Sequence, residues 1–208
     1  MKIFVENRRN SRNLKQTRAF NTKEKISETA YKLFCEKGYY KTTSIQIAKT
    51  AGVSIGCFYS YFKNKDVVFL EILDLYNRDF LQVTNQISDM LEQYKKDKKG
   101  WLFSIINKLI DIHEASKDLN KELSTLYNSN STVASVLDEQ HNKIKRFIID
   151  FLKKYKSDVK VDDIDAAAII AYDIIDSIVN RIVFDKKDIE PDRILQAGIE
   201  ALNKYLFE

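Results

Sequence analysis

The chain has 208 residues, of which 44% are hydrophobic, with one proline, five glycines and two cysteines. This length excludes two large domains. The small number of glycines and prolines argues against a fold rich in β-turns, and two cysteines cannot form a disulfide framework. Residues 1–66 hold 14 Lys/Arg against 5 Asp/Glu and residues 67–208 hold 20 against 25, which together give the net charge of +4, so a polyanionic partner is expected for the first third of the chain.

Residues 1–20 are basic and only weakly periodic. Their cations are Arg8, Arg9, Arg12, Lys15 and Arg18. One interpretation is an N-terminal arm that reaches DNA phosphates or the minor groove, and the other is a solvated, disordered tail. The first helix is predicted after this segment, from about Thr22 to Lys37, with Gly38 at its end.

The segment from Thr42 to Lys65 has the pattern of a helix-turn-helix. Threonines at 42 and 43 are good N-caps for a short helix. The apolar side expected for that helix consists of Ile45, Ile47, Ala48 and Ala51. Gly52 is expected to take the left-handed conformation that lets the chain reverse, with Val53 filling the space between the two helices of the motif.

The second helix of the motif is expected to begin at its cap, Ser54. Phe58 and Phe62 are four residues apart and would face inward. The opposite face consists of Ile55, Gly56, Cys57, Tyr59 and Tyr61. No acidic residue interrupts that face, as expected of a surface that approaches phosphates.

These residues carry a resemblance to a known family. The matching positions are Thr43, Ile47, Ala48, Ala51, Gly52, Val53, Ser54, Gly56, Tyr59, Tyr61, Phe62 and Lys65. Together they resemble the DNA-binding signature of the TetR family of bacterial transcriptional regulators, without a gap over roughly residues 21–70. Cys57 departs from the pattern, because the family often has a threonine there.

The resemblance implies DNA contacts from both helices of the motif and from the start of the helix that follows. The implied residues are Thr43, Ser44, Gln46, Ser54, Ile55, Gly56, Cys57, Tyr59, Tyr61 and Lys65. Hydroxyl groups and Lys65 would bind phosphates, which orient the protein without choosing the sequence. Ile55 suits a thymine methyl group and Gln46 an adenine edge, which predicts an AT-leaning palindrome.

Asn64 is expected to cap a long helix that begins at Lys65. Its apolar stripe consists of Phe69, Leu73, Tyr76, Phe80, Val83, Ile87, Met90 and Tyr94. This spacing predicts one continuous rod. A charged loop is expected over residues 95–100. Three helices should follow: one from Trp101 to about Ser116, a short one that contains Leu119 and ends near Asn128, and, after a polar turn at residues 128–131, a long one to about Tyr155.

The last two helices, near residues 162–184 and after Pro191, are apolar over much of their surface. Pairing with the same helices of a second copy would bury these faces in a four-helix bundle, as the resemblance also implies, although they could instead cover the core of one chain. The expected interface residues are Ala168, Ala171, Ile175, Ile178, Ile182, Ile194, Gly198, Ile199 and Leu202.

The resemblance further implies a ligand cavity among the helices after residue 66. Candidate lining residues are Trp101, Phe103, His113, Tyr127, Phe147, Phe151 and Tyr172. An aromatic stripe is also typical of an ordinary core. The two histidines lie at no metal-ligand spacing, and the chain has no phosphate loop or nucleophile elbow, so neither an enzyme, a metal site nor a cofactor is expected.

The predicted protein is therefore all-α. A three-helix DNA-binding domain with a helix-turn-helix occupies residues 21–66, and a larger helical effector-binding and dimerisation domain occupies residues 67–208. We expect a homodimeric repressor that an unknown small-molecule effector releases from a double-stranded DNA operator. The alternative is a DNA-binding module whose second domain docks a protein partner. No apolar run approaches the length of a membrane span, so a cytoplasmic location with no membrane partner is expected.

Overall fold

A computed structural model describes residues 14–185 and 188–208 of the chain. Within these ranges the secondary structure is helical and no strand occurs, which confirms the predicted fold class. The helices are α1 (Leu14–Lys37), α2 (Ser44–Thr50), α3 (Ile55–Tyr61), α4 (Lys65–Asp89), α5 (Leu91–Lys96), α6 (Lys98–Ala115), α7 (Lys117–Tyr127), α8 (Ser131–Lys154), α9 (Ile164–Val183) and α10 (Pro191–Phe207). A short 3-10 helix, Lys156–Asp158, precedes α9.

Two compact units divide the described residues. The first contains the chain up to Asp79 together with Asp118–Ala134, so nearly all of α7 belongs with α1, α2, α3 and the start of α4. Its buried apolar side chains include Ile26, Leu33, Phe34, Ile47, Phe58, Phe62, Phe69 and Leu73. The domain boundary predicted at residue 66 stays a prediction.

The second unit contains Phe80–Lys117 and Ser135–Glu208. Its core is built around α9, whose alanines let neighbouring helices approach closely, and around an aromatic cluster. Within that cluster Trp101 stacks on Phe151 with ring centroids 5.2 Å apart, and Tyr94 meets Trp101 edge-on at 5.0 Å. Gly198 of α10 packs against Ile178 of α9, because a Cβ atom at residue 198 would overlap the isoleucine side chain.

The start of α1 differs from the sequence prediction. The helix begins at Leu14, eight residues before Thr22, so residues 14–20 of the basic segment are helical. Residues 1–13 of that segment lie outside the described part of the chain. Whether this segment contacts DNA stays a prediction.

The continuous rod predicted from Asn64 to Tyr94 is wrong. Asn64 does cap α4, since its side-chain oxygen accepts the Val67 N–H at 3.0 Å. However, α4 ends at Asp89, Met90 leaves the helical conformation with φ −92° and ψ 14°, and Tyr94 lies in α5. The apolar period continues through the break because Tyr94 is buried in the aromatic cluster of the second unit.

The charged loop expected over residues 95–100 is also wrong. A single residue, Asp97, separates α5 from α6. Its carboxylate accepts the Gly100 N–H at 2.9 Å and thereby caps α6. An acidic N-cap satisfies backbone donors that a loop would leave to water, so the helix begins before the apolar pattern resumes.

In the described ranges, no helix is both long and apolar enough to cross a membrane.

Candidate nucleic-acid interface

The N-terminus of α2 is fixed by a reciprocal pair of hydrogen bonds. The Thr43 hydroxyl accepts the Gln46 N–H at 3.2 Å, and the Gln46 side-chain oxygen accepts the Thr43 N–H at 3.0 Å. This capping box uses the oxygen that a bidentate contact with adenine would need. The geometry therefore gives Gln46 a structural role, whereas the Thr43 hydroxyl keeps its proton for a phosphate.

Ile45 does not belong to the inner side of α2, as the sequence pattern predicted. Its side chain is 66% exposed, whereas Ile47, Ala48 and Ala51 are buried. Two residues along a helix place Ile45 nearly opposite Ile47, so it cannot share the inward stripe. The prediction for Ile45 was wrong, and the side chain instead adds apolar surface to the outside of the motif.

The turn between α2 and α3 depends on Gly52. Its φ of +66° lies in the left-handed region, and the Val53 N–H donates to the Ala48 carbonyl at 3.0 Å. These features form the usual C-terminal cap of a helix, and a side chain at residue 52 would strain it. The predicted role of Gly52 is confirmed.

Helix α3 presents both apolar and polar side chains to solvent. Ser54 caps it by accepting the Cys57 N–H at 3.0 Å, and Phe58 and Phe62 are buried as predicted. Tyr59 is 53% exposed and Ile55 is 39% exposed, whereas Cys57 and Tyr61 are half-buried. A Cβ atom at Gly56 would meet only the Ser54 hydroxyl oxygen, 4.0 Å away, so no packing within the chain requires a glycine there.

Lys65 is directed at the backbone rather than into solvent. Its ammonium donates to the Tyr39 carbonyl at 2.6 Å and to the Thr42 carbonyl at 2.9 Å, and it lies 4.1 Å from the centre of the Tyr39 ring. Partial burial lowers the pKa of this ammonium, while the Asp66 and Glu122 carboxylates oppose that shift. Lys65 therefore ties the start of α4 to the chain before α2.

The sequence of the motif is free of acidic residues. No Asp or Glu occurs between Glu36 and Asp66 in the sequence. Within that interval the lysines at 37, 41, 49 and 63 are all exposed. Exposed cations create the positive potential that attracts a nucleic-acid backbone. Together the two capped helices and this charge form a surface suited to duplex DNA. We call it the reading surface: it consists of the exposed residues of α2 and α3, their caps Thr43 and Ser54, and the exposed lysines at 37, 41, 49 and 63.

The candidate pocket residues do not form one group. Trp101, Phe147 and Phe151 belong to one aromatic stack in the second unit. His113 instead contacts Phe80 edge-on at 5.1 Å, and its Nδ1 lies 2.8 Å from the Leu109 carbonyl. The remaining candidates lie elsewhere: Tyr172 is beside His141, and Phe103 and Tyr127 are exposed. The ligand cavity stays a prediction.

Most candidate interface residues of the last two helices are already covered within one chain. Ala168, Ala171, Ile178, Ile182, Ile199 and Leu202 are buried, and Ile175, Ile194 and Gly198 are half-buried. The six buried residues belong to the core of the second unit, whereas the three half-buried residues keep part of their surface exposed, and their predicted contact with a second copy stays a prediction. The outward apolar side chains on these helices include Ile169, Ile170 and Tyr205. Self-association itself stays a prediction.

Two family models together match most of the chain. Residues 26–72 match the model described as "Bacterial regulatory proteins, tetR family", and residues 80–207 match "Tetracyclin repressor-like, C-terminal domain". The regulator QacR of Staphylococcus aureus is 28% identical over 155 residues, which cover 74% of this chain and 69% of QacR.

Two further comparisons extend this likeness. The uncharacterised regulator YuxN of Bacillus subtilis is 45% identical over 65 residues, which cover 30% of this chain but only 22% of YuxN. The solved complex of SmeT with triclosan has a similar fold, with a TM-score of 0.70, 17% identity, and coverage of 90% of this chain and 92% of SmeT. Because the tetracyclin repressor-like model alone spans more than half of the chain and the tetR-family model matches residues 26–72, the chain is a member of the tetR family of bacterial regulatory proteins.

Proposed function

We propose that this chain is a transcriptional repressor that binds operator DNA as a homodimer and leaves it when a small molecule binds. The observation that carries the proposal is the reading surface: two capped helices, exposed isoleucine and tyrosine side chains, and lysines with no acidic residue between Glu36 and Asp66. Membership of a family of regulatory proteins supports a role at DNA and gives no support to catalysis.

In this proposal α3 lies in the major groove. The hydroxyl groups of Thr43, Ser44 and Tyr59 bind phosphates, and Ile55 contacts a thymine methyl group. Gly56 leaves the helix backbone open beside them, since among the described residues only the Ser54 hydroxyl oxygen, 4.0 Å away, would lie near a Cβ at that position. A surface with few base-directed hydrogen-bonding groups reads apolar features of the groove, so the operator is AT-leaning.

Two copies of the chain place two reading surfaces on one palindrome. We propose that the outward faces of α9 and α10 form the contact, because Ile169 and Ile170 are 43% and 46% exposed although both are large apolar residues. Exposed apolar side chains on neighbouring helices are typical of a four-helix interface between identical subunits. Half-sites about one helical turn apart, roughly 34–36 Å, would match successive major grooves.

The effector is proposed to bind the second unit. The likeness in fold to SmeT, which was solved with triclosan, supports a small and largely apolar ligand. Such a ligand lowers operator affinity only if it binds the DNA-free conformation more tightly than the DNA-bound one. In the proposal the aromatic stack of Trp101, Phe147 and Phe151 forms one wall of its site, because these side chains already lie together.

The test is selection of bound sequences from random duplex DNA with the purified protein. The proposal expects an AT-leaning palindrome that is protected by two copies of the chain, and its affinity should fall when an apolar effector such as triclosan is added. Selection of no sequence at all would contradict operator binding. A selected palindrome whose affinity responds to a protein from the cell but to no small molecule would support the docking of a protein partner instead.

A further inference from the structure

The backbone N–H and C=O groups of Tyr39 are both bound by charged side chains. Its N–H donates to the Glu122 carboxylate at 2.6 Å, and its carbonyl accepts the Lys65 ammonium at 2.6 Å. The Tyr39 hydroxyl also donates to Asp66. Bonds to charged groups are stronger than neutral ones, so the two peptide units that flank the Tyr39 Cα atom are each held by one strong bond. All of these residues lie in the first compact unit.

Tyr39 lies in the short connection between α1 and α2. We call residues 38–43 the corner. Gly38 takes a left-handed φ of +83°, and a Cβ atom there would lie 3.5 Å from a Glu122 carboxylate oxygen. Thr42 is fully buried, and its hydroxyl donates to the Gly38 carbonyl at 2.9 Å. The corner ends at Thr43, which caps the first helix of the reading surface.

A second contact joins the corner to the turn that follows α7. The Tyr40 hydroxyl donates to the Ser129 carbonyl at 3.0 Å. Together with Glu122, this contact fixes the corner from a segment about 80 residues further along the chain. Helix α7 lies outside the helix-turn-helix, yet its Glu122 contacts the chain that leads into α2.

We propose that Glu122 is a positioning residue for DNA binding. It acts on the placement of α2 through its hydrogen bond with the backbone N–H of Tyr39. This inference rests on the proposed function, because it concerns affinity for an operator. Lys65 holds the carbonyl group of the same residue, so loss of the Glu122 contact releases the Tyr39 N–H, while the contacts to Lys65, Asp66 and Ser129 remain. Helix α2, which begins after the Thr43 cap, is then held less firmly relative to α3.

Charge alone makes the opposite prediction. A carboxylate near a surface that binds phosphates repels DNA, so its removal should strengthen binding. Positioning predicts weaker binding when the hydrogen bond is lost, whatever happens to the charge. The sign of the effect therefore separates the two roles. A purely structural role lowers the melting temperature and leaves the operator affinity of the folded protein unchanged.

Three substitutions at this residue separate reach from charge. E122Q removes the charge and keeps an acceptor at the same distance. E122D keeps the charge on a side chain shorter by one methylene, and E122A removes both. The matched control is D118A, because Asp118 is an exposed acid one turn earlier on α7, and its ion-pair partner is Lys121 of the same helix at 3.4 Å.

The experiment measures operator affinity by fluorescence anisotropy, at a temperature where circular dichroism shows each full-length variant to be folded. We expect E122A and E122D to bind about tenfold more weakly, as loss of a charge-assisted hydrogen bond allows. E122Q and D118A should bind as tightly as the wild type or slightly more tightly. The slope of affinity against salt concentration should not change, because Glu122 contacts no phosphate.

Equal binding by E122A, E122D and D118A would overturn the inference, even if the melting temperatures fell. So would tighter binding by E122A, which is the result expected from charge alone. Because E122D keeps the charge and most of the side-chain volume, it tests the inference even if E122A does not fold. Wild-type binding is measured first and tests the proposed function: its absence defeats both proposals, whereas its presence with unaffected variants defeats only this one.

Discussion

The Lys65 ammonium lies 2.9 Å from the Thr42 carbonyl oxygen, in a contact that joins the start of α4 to the residue before the α2 cap. A side chain that the family resemblance assigns to a phosphate is thus used inside the protein. The salt dependence of DNA binding distinguishes these two uses of Lys65, because only a phosphate contact releases counterions.

Replacement of Lys65 by glutamine should destabilise the protein by about 1–3 kcal/mol, since two hydrogen bonds from a charged donor are weakened. Operator affinity should fall, but the slope of log affinity against log salt should stay within error of the wild type. A phosphate contact would instead change that slope by about 0.9. Anisotropy titrations at several salt concentrations measure it, with the exposed lysine variant K63Q as the comparison.

Replacement of Gly56 by alanine should have opposite effects on stability and on binding. The free energy of unfolding should rise by up to about 1 kcal/mol, because alanine favours a helix and the site is open. Operator affinity should fall if the backbone of α3 lies against the DNA. Urea denaturation and DNA titration of the same sample measure both quantities, and an unchanged affinity would place α3 further from the groove.

The thymine contact of Ile55 can be tested by removing one methyl group from the DNA. Replacement of a contacted thymine by deoxyuridine should weaken wild-type binding about fourfold, from the roughly 0.8 kcal/mol that one buried CH₂ contributes. The I55A variant should bind both duplexes equally well. The same pair of duplexes tested with I45A determines whether the other exposed isoleucine reads a methyl group. Equal losses in the wild type and in I55A would remove Ile55 from base recognition.

Protonation of His113 should destabilise the fold at low pH. Burial lowers the pKa of this imidazole below its usual 6.5, with the backbone contact to Leu109 and the Asp176 carboxylate opposing the shift. The unfolded chain therefore binds more protons than the folded one as the pH falls through and below about 6.5, and stability decreases there.

Thermal unfolding between pH 7.5 and 5 measures this effect, with the range chosen around the ordinary histidine pKa. The variant H113F should lose part of the decrease in melting temperature, since phenylalanine suits contacts with Phe80 and Phe184. His141 also has a pKa lowered by burial, so H141F should remove a further part. A pH dependence that neither substitution changes would assign it to other groups.

Local features of the sequence predicted much of the fold. Caps and turn glycines act within a few residues, so Ser54, Gly52 and Asn64 could be assigned from neighbours alone. The Glu122 contact with Tyr39 joins residues 83 positions apart, and no local pattern indicates it. A glutamate on an amphipathic helix has the same sequence signature whether it faces solvent or a backbone amide.

The interface and the capping box show a second limit. An apolar helix indicates that its faces are covered without indicating what covers them, and Gly198 packs against Ile178 of the same chain. Likewise, a glutamine three residues after a threonine is suited both to a base and to a capping box. The short distance to the Thr43 N–H favours the second role, and only coordinates provide that distance.

The reading surface is tested most directly by placing one negative charge on it. Tyr59 is more than half exposed, so Y59E should fold normally, and F103E on an exposed position of the second unit is the control. Anisotropy titration of the selected operator should show at least a hundredfold loss for Y59E, as expected for a like charge placed against phosphates, and no change for F103E. Wild-type affinity in folded Y59E would contradict the assignment of this surface to DNA.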